Sequence, residues 1–163
     1  MKMGTLPKSG HVEVVANATP EAVWEIVSDI TRVGDWSHEC KAGVWVDGAT
    51  SARPGARFKG TNKNGKQSWT RSNEVLTVDA PREFSWRTVP SRLYADSTVW
   101  TITLEPVEGG TRIVQSFEVV KLNPILDRLI YAVMPKHRDR TDALRDDMHR
   151  LGEVARTGVP IAD

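Results

Sequence analysis

The last third of the chain reads differently from everything before it. Over residues 124–157 apolar side chains recur at steps of three and four, and no strand pattern returns. Leu126, Leu129, Ile130 and Val133 begin a stripe that Met134, His137, Thr141, Leu144, Met148, Leu151 and Ala155 extend. That period belongs to an amphipathic helix with one buried face. Pro135 lacks a backbone donor and crowds the preceding turn, so it kinks the helix or splits it in two. The part before Pro135 is then free to move as a lid while the rest stays packed. The part after it runs about 22 residues, or about 33 Å, which is enough to cross a sheet. Its outer face carries Arg140, Asp142, Arg145, Asp146, Arg150, Glu153 and Arg156. Mixed charges of this kind predict a solvated surface.

Strand patterns dominate the region before that helix. Residues 11–17 (HVEVVAN) alternate and are β-rich. Thr19 can then cap a helix, Pro20 suits its first turn, and Glu21 complements its positive end. Val23, Trp24, Ile26 and Val27 give this short helix an apolar stripe that ends near Asp29. A second helical turn is expected over 30–35, with Gly34 as its stop. Strands follow at 41–46, 56–61, 67–78, 82–89, 97–107 and 111–121. The breaks between them include Asp47-Gly48, Asp79-Ala80-Pro81 and Glu108-Gly109-Gly110, and Asn62-Lys63-Asn64-Gly65 predicts a hairpin because Asn-Gly tolerates positive φ.

The expected class is therefore α+β, with a curved antiparallel sheet, two short helices between its first and second strands, and one long C-terminal helix. An open antiparallel sheet needs one face covered. A twisted sheet curling around a single helix encloses more volume than that helix fills, and the remainder becomes a pocket.

A chain of 163 residues suits one core. The expected division is a flexible N-terminus over 1–10, one domain over 11–157 and a tail over 158–163. Charge is nearly balanced, with 22 basic and 21 acidic residues, which gives no reason to expect nucleic acid as a partner. Cys40 is the only cysteine, so an intramolecular disulfide is impossible and a cytoplasmic location fits. Residues 1–10 lack the apolar core of a signal peptide. No run approaches the roughly 18 apolar residues of a membrane span, so stable membrane insertion is not expected. A monomer or weak homodimer is expected. The six tryptophans, against three phenylalanines and two tyrosines, suit either a core or a pocket wall.

Strand alternation names the inward set. Thr98, Trp100, Ile102 and Leu104 share one face, as do Ile113, Gln115, Phe117 and Val119, and as do Phe84, Trp86 and Thr88. Trp69, Arg71, Asn73 and Val75 fall together, but Leu76 and Val78 take the opposite phase, so a bulge can switch the strand. The ligand-binding candidates are Trp36, Trp69, Arg71, Trp86, Trp100, Gln115, Phe117, Met134, His137 and Thr141. Three of these are also the catalytic candidates. An inward Gln115 needs a partner, water or ligand. An inward Arg71 pairs with an acid or meets a ligand carboxylate or phenolate. His137, after the kink, could donate to a ligand carbonyl or act as acid or base. Trp36-Ser37-His38-Glu39-Cys40 gathers reactive groups, but adjacent residues of an extended segment point in opposite directions, so neither a triad nor a metal cage forms there. No glycine-rich phosphate loop, paired-cysteine motif or pair of metal-spaced histidines is present, and neither a metal nor a cofactor is expected.

Pro20-Glu21-Ala22-Val23-Trp24-Glu25-Ile26-Val27-Ser28-Asp29, followed by Trp36-Ser37, resembles the opening signature of the SRPBCC (START/Bet v 1-like) superfamily. The likeness is to its polyketide cyclase/dehydrase-like branch, and in particular to actinobacterial members. Asp79-Ala80-Pro81-Arg82-Glu83-Phe84-Ser85-Trp86 resembles that branch's mid-chain turn and strand, and Gly109-Gly110-Thr111-Arg112-Ile113 its last hairpin. The resemblance implies the helix-grip fold, with seven curved strands wrapped around the C-terminal helix. It also implies a cavity for lipids, sterols, polyketides, quinones or plant hormones. The expected function is a binding or carrier protein for an apolar small molecule of lipid, fatty acyl, isoprenoid or polyketide-like character. The alternatives are a polyketide cyclase/dehydrase-type enzyme and a co-chaperone-like interaction module, since fold does not fix function.

Overall fold

The computed structural model describes residues 4–137 and 139–159. Its centre is a seven-stranded antiparallel sheet in the order β1-β7-β6-β5-β4-β3-β2. The strands are β1 (Ser9–Ala16), β2 (Cys40–Val46), β3 (Arg57–Asn64), β4 (Gln67–Asp79), β5 (Glu83–Thr88), β6 (Ser97–Val107) and β7 (Gly110–Lys121). Helix α1 (Pro20–Val27) and a 3-10 turn (Ile30–Asp35) carry the chain from the β1 edge to the β2 edge. Thr19 caps α1 through its hydroxyl, which accepts from Ala22 N at 3.1 Å. Gly34 does not end the 3-10 turn, which continues through Asp35; a Cβ there would collide with the Lys41 carbonyl, so the glycine permits close approach.

Register follows the alternation read from the sequence. Ile102 pairs with Gln115, which pairs with Val12, and Leu104 pairs with Ile113, which pairs with Val14. A bulge between Val75 and Thr77 switches the phase of β4, so both Val75 and Val78 face the core. The β3–β4 hairpin turns one residue later than Asn64-Gly65 predicts. Asn64 still pairs with Gln67, and the turn is Gly65-Lys66 with Gly65 at φ 61°. A glycine at the first turn position suits a two-residue hairpin equally well, and it leaves the Asn64 side chain available to the interior.

The C-terminal region is two helices rather than one kinked helix. α2 spans Pro124–Val133 and α3 spans Thr141–Thr157, with a 3-10 turn at Pro135–His137 between them. Met134 N makes the last α2 bond, to Ile130 O at 2.8 Å, and Pro135 has no donor to continue the ladder. The helix restarts where Asp139 accepts from Thr141 N at 2.9 Å and Leu144 N bonds Arg140 O at 2.8 Å. The segment that crosses the sheet is thus 17 residues long, shorter than the spacing suggested. It packs on β1 and α1 through Leu144, Met148, Leu151 and Val154. β1 starts at Ser9, two residues before the expected position 11, and Val119 N bonds Lys8 O at 2.7 Å. Among the described residues no helix is long and apolar enough to cross a membrane.

Met148 is fully buried at the middle of α3. Met148→Ala is expected to cost about 2–5 kcal/mol, whereas Arg145→Ala on the exposed face should change stability by less than about 0.5 kcal/mol. Urea unfolding measures both, and equal small effects would contradict α3 as the core helix.

Candidate ligand cavity

α3 covers the β1–β7 side of the concave face, and the space beside it forms a cavity of about 450 Å³ roofed by α2. Its floor is an aromatic row. Trp86, Trp100 and Phe117 stand in direct register across β5, β6 and β7. Trp86 stacks on Trp100 at 6.5 Å and 15°, and Trp100 meets Phe117 at 5.3 Å. All three are only partly buried, so they wall the interior without filling it. Gln115 lies in the neighbouring row between Ile102 and Val12, 4% exposed, and its Oε1 has no partner. Trp36 caps the 3-10 turn; it too is buried on the cavity wall with Nε1 unpartnered, while its carbonyl accepts from Arg150 Nη1 at 3.3 Å.

The roof is loosely applied. Leu126, Leu129, Ile130 and Val133 face the cavity as their spacing predicts, yet Leu129 and Val133 remain 55% and 53% exposed. The only fully buried α2 residue is a carboxylate, Asp127, held by Lys8 Nζ and Leu6 N at 3.4 Å each. The N-terminal strap thereby ties the roof to the sheet.

The polar end lies where the helix breaks. His137 is buried, and its Nε2 lies 2.6 Å from Glu39 Oε2; Asn64 Nδ2 adds a 3.5 Å contact to the same oxygen. With Nε2 donating to the carboxylate, His137 Nδ1 is left on the wall without a partner. Trp69 meets the imidazole edge-on at 6.1 Å. Burial raises the Glu39 carboxyl, but the His137 hydrogen bond and the charges of Arg140, His137 and His38 outweigh it, and Glu39 sits below its ordinary value. Met134 ends α2 half-buried on this wall, and Thr141 opens α3 at the rim, exposed.

Arg71 does point inward, but Asp96 occupies it. Nη1 reaches both carboxylate oxygens at 3.2 and 3.3 Å, Nη2 donates to the Asp96 carbonyl at 3.0 Å, and the guanidinium lies 5.1 Å from the Tyr94 ring centroid. Of its two expected roles, Arg71 fills that of pairing with an acid. Arg140 corrects the sequence reading outright. The helical wheel places it on the solvated face, but α3 begins only at Thr141, so the wheel does not apply to it. Arg140 lines the cavity, where burial lowers its pKa against the opposing charges of Glu39 and Asp96.

All five residues of the 36–40 segment line the cavity, and His38 and Glu39 bond different partners there. His38 Nδ1 lies 2.7 Å from Asp147 Oδ2, and His38 N donates to Asp147 Oδ1 at 2.9 Å. Burial raises the Asp147 carboxyl more than His38 and Arg150 lower it. Burial and the neighbouring Glu39 charge push the Cys40 thiol up to about 11. The alternation argument missed Glu39, Asn64, Asp96, Asp127, Arg140 and Asp147. Asp147 alone carried a usable signal, because it stands three residues after Leu144 and four before Leu151 on the buried stripe. Among the described residues no group of three His, Cys, Asp or Glu side chains is placed to hold a metal ion.

A seven-stranded sheet gripping a C-terminal helix beside a walled cavity defines the Bet v 1-like helix-grip fold. Residues 9–156 match the family described as polyketide cyclase / dehydrase and lipid transport, and the chain belongs to that family. Among solved structures it resembles the TTHA0849 protein of Thermus thermophilus, at 17% identity over 92% of this chain and 98% of that one, with a TM-score of 0.69. Major latex-like protein 151 of Panax ginseng is 12% identical over 92% of this chain and 97% of its own, with a TM-score of 0.66. DynU16, from the dynemicin biosynthetic locus, is 18% identical over 94% of this chain and 49% of its own, with a TM-score of 0.60. At these identities the likeness is one of fold. No protein of curated function matches.

The Cys40 environment gives a direct check. Alkylation by iodoacetamide should be far slower than for a free cysteine at about pH 8 and should still be rising above about pH 10, since only the thiolate reacts. A rate that levels off below about pH 9 would contradict the burial described.

Proposed function

We propose that this chain binds and carries an apolar small molecule, of lipid, fatty acyl, isoprenoid or polyketide-like character, in the cavity beneath α2. The observation that carries the reading is the row Trp86–Trp100–Phe117, held in register yet left facing open interior volume. Large aromatic faces exposed to a cavity gain by covering with apolar ligand surface, at about 25 cal/mol per Å² removed from water. Three buried polar atoms on the same walls, Trp36 Nε1, Gln115 Oε1 and His137 Nδ1, lack partners. An orphan of this kind costs about 1–3 kcal/mol, which a ligand's polar groups would relieve once binding moves the covering side chains aside. The family's association with lipid transport supports the same reading.

Denaturing extraction and mass spectrometry of the purified protein are expected to release an apolar compound. Returning it at 100 times its Kd should add about 2.7 kcal/mol of stability. Clean apo protein that no lipid, isoprenoid or polyketide stabilises would overturn the proposal.

A second reading, a polyketide cyclase/dehydrase-type enzyme, is favoured by one feature. Glu39 holds the His137 ring by Nε2 and leaves Nδ1 unpartnered just beneath the cavity wall, which is how a carboxylate orients a general base once the ring is uncovered. In that reading His137→Asn loses at least about a hundredfold in turnover of a polyketide chain while remaining folded. Undiminished turnover would remove His137 from the chemistry.

A further inference from the structure

Among the described residues two arginines line the cavity, and they are differently placed. Arg71 is paired with Asp96 and covers the Tyr94 ring. Arg140 makes no ion pair and no side-chain hydrogen bond to any described residue. The carboxylates that act on it through space, Glu39 and Asp96, are each bonded to another side chain, His137 at 2.6 Å and Arg71 at 3.2 Å. The remaining acids on the wall are also engaged. Asp147 bonds His38, Asp127 bonds Lys8, and Asp139 accepts from Thr141 N. No nitrogen of Arg140 is among the sealed, unpartnered atoms of the interior, and the residue lines the cavity.

A guanidinium presents up to five N–H donors in a planar fork that fits two oxygens of one carboxylate. Arg140 also stands at the N-cap of α3, where the helix adds partial positive charge. A single fork with two carboxylates in its neighbourhood suits a monoanion. A phosphate of nearly two charges would be repelled by Glu39 and Asp96 about twice as strongly.

We propose that Arg140 is the anion receptor of the cavity and that the ligand is an apolar carboxylic acid. Its carboxylate is clamped by Arg140 at the helix break, and its apolar body lies along Trp86, Trp100 and Phe117. The proposal rests on the ligand-binding reading above and narrows its ligand class to acids.

Matched acid and alcohol pairs test it on the full chain at neutral pH. Dodecanoic acid against dodecanol samples a linear skeleton, and anthracene carboxylic acid against hydroxymethyl anthracene a flat fused one. Tryptophan fluorescence and native mass spectrometry report binding. In at least one pair the acid should bind about tenfold tighter than its alcohol or better, a difference of about 1.4 kcal/mol. Arg140→Gln should erase that preference, Arg140→Lys should keep part of it, and Arg145→Gln on the exposed face should keep all of it. Thermal melts verify that each variant is folded. Acids and alcohols binding alike, or Arg140→Gln keeping the preference, would overturn the proposal and leave the ligand-binding reading standing. Failure of all four probes to bind would remove both.

Discussion

One helix cannot cover the concave face of seven strands, and that shortfall shapes the protein. α3 has 17 residues, about 26 Å of helix. It is committed to β1, β7 and α1, where Leu144, Met148, Leu151 and Val154 close over Val14, Ile26 and Ile113. The aromatic row of β5, β6 and β7 lies beyond that seal. What covers it is α2, whose one fully buried side chain is a carboxylate and whose apolar residues stay half in the open. A packed core and a hollow thus sit side by side on one sheet face. The division between them is set by where the helix stops.

The helix stops because of Pro135, and the break does more than bend the chain. Met134, Pro135–His137, Asp139 and Arg140 lie outside both α-helices, so their side chains do not obey the stripe that organises α3. His137 and Arg140 turn into the cavity from that segment. The 36–40 segment meets them there. Its consecutive residues His38 and Glu39 reach two different C-terminal elements, Asp147 of α3 and His137 of the 3-10 turn. One short loop therefore anchors both the packed helix and the turn that follows the roof. The polar end of the cavity is built from one of those anchors, Glu39 with His137, and from Arg140 after the break.

Most of the scaffold was legible from periodicity. Period two placed Trp86, Trp100, Gln115 and Phe117 on the inner face, and the phase conflict at Leu76 and Val78 correctly announced the β4 bulge. Pro135 announced the division of the terminal helix. The polar partners were not legible, since they depend on contacts between segments far apart in sequence. Glu39 and His137 are 98 positions apart, His38 and Asp147 are 109 apart, and no local pattern couples them. Arg140 was misread for a related reason. A wheel assumes that the helix is continuous, and one missing donor at Pro135 was enough to remove that residue from it.

The sequence by itself therefore determined the elements, their antiparallel order and the residues that face inward, because each depends on backbone chemistry and short-range periodicity. Only the tertiary structure decided that the tryptophans wall a space instead of filling it. It also decided that Arg71 is spent on Asp96 and that Arg140 is left without an acid. Volume and charge pairing are properties of the closed assembly. They emerge when a sheet of fixed curvature meets a helix of limited length, and no single segment carries them.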